Sequence, residues 1–231
     1  MARIPRSFSV KAGYFVHKVW RGHNREWNLE TGEQKQQYLE FMNEDLESKR
    51  YEAGSTVLAL TVMSNHSHEI SEVSEAKLFS NHMRRHHSRY GRYFNDLKER
   101  CGKVAQDRPH TTLIGDDHHK MLCTFYIHAN PHRAGIGDAE RYEYSTHQLY
   151  AYGKRRSWMR NITLPGWYRC LGRTVVQRQR KYRQLFAQYL KSRGLTKQSF
   201  LKRLFFGPLP WMIENEERVI KWRKSLRPAP P

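Results

Sequence analysis

Two short stretches of this chain carry side chains that could do chemistry together. In Val62-Met63-Ser64-Asn65-His66-Ser67-His68 an apolar run ends in two histidines two residues apart. On a strand, alternate side chains share a face, so both imidazoles would point the same way and could chelate one metal ion. Two solvated histidines at a strand end would look the same, and in a chain with 13 histidines that plainer meaning is the commoner one. In Phe125-Tyr126-Ile127-His128-Ala129-Asn130-Pro131, Tyr126 and Asn130 are four residues apart and share a helix face. A phenol and an amide oxygen could meet a metal from that face. A packed tyrosine before a helix-ending Asn-Pro is again the more ordinary meaning.

Positioning such groups takes at least one strand and one helix. Gly13 to Trp20 alternates aromatic or β-branched with polar residues, and Thr56 to Met63 is nearly all apolar, so both read as strands and the second as a central one. Thr31 and Gln34 have capping-box spacing, and Tyr38, Leu39, Met42 and Leu46 recur with helical period, which predicts a helix from Glu33 to Arg50. Ser74 can cap a second helix with Phe79, Met83, Tyr90 and Phe94 on one side, and Thr111 to Ile114 fits a short strand. Asp117 can cap a third helix that ends near Ala129, because Pro131 disfavours helical geometry just before it. That third helix carries Tyr126 and Asn130.

Beyond Gly153 the chain reads as helical and basic. Tyr182, Leu185, Phe186, Tyr189 and Leu190 form an apolar stripe from Thr174 to Lys191, and Thr196 could cap a shorter helix. A last helix from Met212 to Ser225 has glutamates early and Lys221, Arg223 and Lys224 late, matching the helix dipole, before a proline tail at Pro228 to Pro231.

The bulk numbers narrow the class. The 231 residues can hold one medium domain with an extension or two small ones, and 38% hydrophobic and 13% aromatic content is that of a folded chain. With no long apolar run and no hydrophobic signal core behind Met1, neither membrane insertion nor secretion is expected. Cys101, Cys123 and Cys170 are scattered and odd in number, which fits a cytoplasmic protein and argues against a cysteine-based zinc site. Net charge is +19, and residues 151–231 hold 20 Lys and Arg against 3 Asp and Glu. So one-sided a basic segment points to nucleic acid, with an anionic membrane surface the weaker option. Lys154, Arg155, Arg156, Arg178, Arg180, Lys181 and Arg183, interleaved with Trp158, Trp167, Tyr168 and Tyr182, could grip phosphates and stack unpaired bases, although any one of them could equally belong to a solvated helix face.

Together the two chemical segments resemble the HUH superfamily, in particular its single-tyrosine transposases and, among them, the REP-associated tyrosine transposases. Gly13-Tyr14-Phe15-Val16-His17 followed by Arg21-Gly22-His23-Asn24-Arg25 looks like the family's opening strand and turn. Arg89 to Asn95 looks like its helix after the histidine pair, and Tyr126 to Gly135 like its Tyr-Ile-His-x-Asn-Pro-x-Arg-Ala-Gly signature. Tyr144-Ser145-Thr146 to Gly153, Tyr168 to Gly172 and Arg178 to Phe186 look like later landmarks, so the resemblance spans residues 10–190.

The resemblance implies an α+β fold over residues 1–153, an antiparallel sheet with helices packed on it (ferredoxin-like or RRM-like), and a basic helical DNA-binding extension over 154–231. It implies that His66 and His68 bind Mg or Mn, with Asn130 helping, although paired imidazoles on their own favour Mn, Zn or Ni. It implies that Tyr126 attacks a phosphate of single-stranded or hairpin DNA, giving a 5′-phosphotyrosine and a free 3′ hydroxyl without ATP. A phenol with a pKa of about 10 needs help as a nucleophile, and a Lewis-acid metal supplies it. The chain would work as a monomer or homodimer. Two residues depart from the pattern: Ser67 and Glu69 replace apolar residues on the opposite strand face, and a buried Glu69 would need a polar partner.

Other residues have plainer expected roles. Tyr90 and Tyr93 should pack or contact DNA, His86-His87 and His118-His119 should be solvated surface, and His128 and His132 should lie near DNA. Two rival readings are a hairpin-binding regulator without turnover, and a hydrolase in which His66, His68 and Asp116 or Asp117 activate water.

Overall fold

The structure, a computed structural model, describes residues 4–193 and 203–226. The helix start read at Thr196 and the tail at Pro228 to Pro231 lie outside them. The alternating opening segment forms β1 (Phe15–Arg21). Spacing at Thr31 and Gln34 gives a complete capping box, with the Gln34 N–H donating to Thr31 Oγ1 at 3.1 Å, and starts α1 (Gly32–Glu47). The apolar run forms β2 (Ser55–Val62), followed by β3 (His66–Val73), α2 (Ala76–Leu97), β4 (His110–Ile114), α3 (Asp117–His128) and a single turn, α4 (Asn130–Arg133). Then come α5 (His147–Tyr152), α6 (Gly166–Arg169), α7 (Val175–Arg193), a two-residue strand β5 (Phe205–Phe206) and α8 (Leu209–Ser225). Helix α2 begins after Glu75 rather than Ser74, and α3 is capped by Asp116, one residue before the expected Asp117.

The strands form one sheet in the order β2-β3-β1-β4-β5, antiparallel except for the last pair. The α+β expectation holds, but the strand read as central does not. β2 lies at the sheet edge, and the histidines open the next strand instead of ending β2. β2 tolerates an apolar composition there because residues 142–146 cover its edge. Val62 N–H donates to the Tyr144 carbonyl at 2.8 Å, Thr146 N–H to the Leu60 carbonyl at 2.9 Å and the Tyr142 hydroxyl to the Val62 carbonyl at 2.6 Å, leaving little of that edge to pair with another chain.

Side chains from beyond Gly153 enter every core cluster. Trp158, Met159 and Ile162 pack with Trp20, Tyr38, Leu39 and Tyr90 on the α1–α2 side, while Trp167, Tyr168, Tyr182, Phe186 and Tyr189 pack with Phe125, Ile127 and Ile70 on the α3 side. Phe205, Met212 and Val219 join Val16, Phe79, Met83 and Leu113. Histidines expected at the surface are inside: His86 is buried and shares a 2.9 Å hydrogen bond with the Tyr38 carbonyl, and half-buried His87 stacks on Trp20. His128, expected near DNA, lies in the core between the Tyr182 hydroxyl at 2.6 Å and Thr146 Oγ1 at 2.7 Å. Tyr90 packs, donating its hydroxyl to the Asn28 carbonyl. Among the described residues no helix is long and apolar enough to cross a membrane.

Glu69 is buried and has the partner it needs. Lys18, its neighbour across β1 and β3, places Nζ 2.5 Å from the carboxylate, and Ser71 Oγ donates to it at 2.7 Å. Burial pushes this carboxyl up, but the Lys18 charge and the hydrogen bonds from Lys18 and Ser71 outweigh it and hold the group below its usual range. Lys18→Met or Glu69→Leu alone strands a buried charge and is expected to cost about 3–5 kcal/mol, whereas the double replacement should recover most of that loss. Urea unfolding of the four proteins checks this; a double variant as weak as the sum of the singles would sink it.

Candidate active site

The turn after β1 fixes where β3 begins. Gly22 N–H donates to the Asn65 carbonyl and Leu29 N–H to the Ser64 carbonyl, each at 2.9 Å, so this turn grips the β2–β3 turn just before His66. Only glycine fits at position 22: a Cβ there would sit 2.5 Å from the Glu26 carbonyl oxygen and 2.8 Å from Asn28 Nδ2. Register then sets the faces, with Arg21 opposite His66 and Val19 opposite His68 on one side and His110 on the other. His66 and His68 therefore share the sheet face over which α3 lies, while Ser67 and Glu69 face the α1–α2 layer.

The rings of His66 and His68 lie 4.9 Å apart, and the Tyr126 ring is 5.6 Å from that of His68. Together with Asn130, Arg21 and Arg133 they line one cavity of about 730 Å³, walled on one flank by Ile4 and Leu204. His66 Nδ1 is 2.6 Å from Asn65 Oδ1, and His68 Nδ1 is 2.9 Å from His17 Nε2, so in each ligand candidate Nε2 is the nitrogen left over. The Asn130 amide nitrogen donates to the Tyr126 and Ile127 carbonyls at 3.2 Å, which leaves its oxygen as the available end. Arg133 donates to the Tyr126 carbonyl at 2.8 Å and lies over the Tyr126 ring, its Cζ 3.9 Å from the centroid. Its Nη1 is buried without a hydrogen-bond partner among the described residues.

The fold is similar to that of a REP-associated tyrosine transposase. A solved structure of that protein bound to a REP hairpin aligns with 68% of this chain and 89% of its own, at a TM-score of 0.52 and 19% sequence identity. At that identity the likeness is one of fold. No protein-family model and no curated protein matches the chain.

The electrostatics favour neutral imidazoles. Burial, helped by the Arg21 and Arg133 charges, lowers His66 to about 3, and burial with the neighbouring His66 and His17 takes His68 well below its usual range. Neutral imidazole is the form that binds metal. Burial raises the Tyr126 phenol, and Arg133 and Arg21 pull it back only in part. Among the described residues no three histidine, cysteine or carboxylate side chains are arranged to hold a metal ion by themselves, so an ion here would rest on two imidazoles and the Asn130 oxygen. Those three donors fit such an ion: each is oriented by a hydrogen bond through its other atom, and a small neutral donor set leaves positions open for phosphate oxygens.

None of the seven basic residues expected to bind DNA borders the cavity. Arg155 donates to the Met159 and Ile162 carbonyls, Arg178 to those of Gly172 and Arg173, and Arg183 to that of Ala151. Arg156 pairs with Glu143 at 2.9 Å, while Arg180 and Lys181 are exposed. The basic groups at the cavity are instead Arg21, Arg108 and Arg133, with His110 on the same wall. Strand parity was a usable signal for Arg21, which shares its parity on β1 with Val19, another residue lining the cavity.

Proposed function

We propose that the protein is a metal-dependent nuclease and strand transferase for single-stranded, hairpin-bearing DNA, working through a 5′-phosphotyrosine on Tyr126. One observation carries the reading: Tyr126, the free Nε2 edges of His66 and His68, and Asn130 meet at a single cavity lined with arginines. The strongly basic chain, and a fold shared with a transposase solved on a REP hairpin, support the DNA substrate.

The Tyr126 oxygen attacks phosphorus, forming the O–P bond as the bond to the 3′ oxygen breaks, and the 3′ hydroxyl leaves with a proton. The reverse attack by a 3′ hydroxyl rejoins strands, so no nucleotide cofactor is consumed. Arg133 holds the backbone of Tyr126, and it and Arg21 add positive charge beside the site of attack. Mg or Mn held by His66, His68 and Asn130 would supply Lewis-acid charge at the phosphate, worth several kcal/mol by the usual measure. Exposed Arg180 and Lys181 on α7 would contact DNA flanking the cut. A water-activating carboxylate from Asp116 or Asp117 has little structural support. Both sit at the far end of α3, about 15 Å from Tyr126 by helical rise, and pair with His119 and Lys120.

The test is a denaturing gel of labelled hairpin DNA with a single-stranded flank, incubated with the protein and Mn, Mg or a chelator. A covalent protein–DNA adduct that needs the metal is expected. Cleavage without an adduct would make water the nucleophile, and tight binding without cleavage across varied hairpins would make the protein a regulator.

A further inference from the structure

We propose that His17 is a positioning residue that fixes the proton of His68 on Nδ1 and so presents Nε2 of His68 to the metal. This rests on the reading of His68 as a ligand. His17 lies on β1, on the same sheet face as His68, and both are buried. Its Nε2 is 2.9 Å from His68 Nδ1, with the two rings nearly parallel at 13°.

A hydrogen bond between two neutral imidazoles takes one N–H and one lone pair, so it has two forms. In one, His68 donates from Nδ1, and its Nε2 carries a lone pair. In the other, His17 donates, the His68 proton sits on Nε2, and that nitrogen cannot ligate. Only the first suits a metal site, and it makes His17 the acceptor. His66 shows the same plan with a different partner: its Nδ1 faces Asn65 Oδ1 at 2.6 Å, and an amide oxygen can only accept. Both ligands thus direct Nδ1–H to a side chain behind them and turn Nε2 toward the cavity. Metal-bound histidines ordinarily use a carboxylate or carbonyl in this place. An uncharged imidazole does the same work without adding a negative charge near phosphate. The contact also removes His17 from the ligand set, because the nitrogen nearest the site is already engaged.

The test compares Mn affinity, by the electron paramagnetic resonance of free Mn, in wild type, His17→Gln and His17→Leu, with circular dichroism melts of each. A glutamine oxygen can stand where Nε2 stood, so His17→Gln should stay within about threefold of wild type, while His17→Leu should lose roughly 10–100-fold in affinity yet melt cooperatively. Should His17→Leu fail to fold, His17→Asn, whose amide is too short to reach His68, takes its place with the same expected loss. A folded Leu or Asn variant with wild-type affinity overturns the proposal, as does equal loss in Gln and Leu, which would make ring shape the cause. Wild type that binds no Mn defeats the metal reading itself, a separate outcome.

Discussion

Tyr126→Phe is expected to lose the covalent DNA adduct and strand cleavage completely while still binding hairpin DNA within about threefold of wild type, because it removes the one atom that would bond to phosphorus. The change is otherwise small. The Tyr126 ring is buried under the Arg133 guanidinium, and phenylalanine keeps both the ring and the backbone carbonyl that Arg133 and Asn130 hold. Tyr90 cannot stand in for it, because Tyr90 packs with Trp20, Tyr38 and Leu39 on the opposite face of the sheet and its hydroxyl is committed to the Asn28 carbonyl. Gel analysis of wild type and variant side by side checks this, with a melt to show that the variant is folded. Metal-dependent cleavage by Tyr126→Phe would remove the tyrosine from the mechanism.

The second large effect is acid unfolding at unusually mild pH. His82, His86, His87, His128 and His147 are held neutral mainly by burial, with His82 lowered to about 4 and His147 to about 3 and the other three well below 6.5. Their folded pKa values lie under the unfolded value, so the unfolded chain takes up protons first. Stability is full above pH 6.5 and is lost as pH falls toward the folded values. Each imidazole contributes about 1.4 kcal/mol per pH unit, so these five together should remove roughly 7 kcal/mol by pH 5.5. That is comparable with the lower end of the stability of ordinary domains, about 5–15 kcal/mol, so a steep loss of stability between roughly pH 5 and 6 is expected. Urea unfolding at pH 7.5, 6.5 and 5.5 would show it, and equal midpoints at all three would refute it. His82→Leu should flatten the slope by one proton, because neither ring nitrogen of His82 has a partner among the described residues.

Local signals in the sequence were dependable where one residue decides the outcome. The Thr31–Gln34 capping box, the helical face of Phe79, Met83, Tyr90 and Phe94, and the stripe of Tyr182, Phe186 and Tyr189 all pack as their spacing implies. The grouping of His66, His68, Tyr126 and Asn130 was legible through the family resemblance of the two motifs, although their shared cavity was not. Strand β3 was missed because His66-Ser67-His68-Glu69-Ile70-Ser71-Glu72 has almost no apolar signal. Its buried polar groups are satisfied by Lys18, Ser71 and Tyr38, partners far away or of the wrong type for a pattern search. Basic residues pose the opposite difficulty. Charge alone cannot tell an arginine that only holds a loop carbonyl, as Arg155 and Arg178 do, from one that also lines a cavity, as Arg133 does.

The short parallel pairing of β4 with β5 has a consequence for how the chain is made. Leu113 N–H donates to the Leu204 carbonyl and Gly115 N–H to that of Phe206, so among the described residues the flank of β4 is closed by a segment about 90 positions later. A ribosome adding about 5–20 residues per second leaves that flank bare for roughly 4–18 s after β4 emerges. During this interval β4 is an unpaired edge, and neighbouring nascent chains on one messenger present identical edges side by side. A chain released after residue 193 keeps that edge permanently and should be recovered mostly as aggregate, even though Tyr126, His66 and His68 are all present in it.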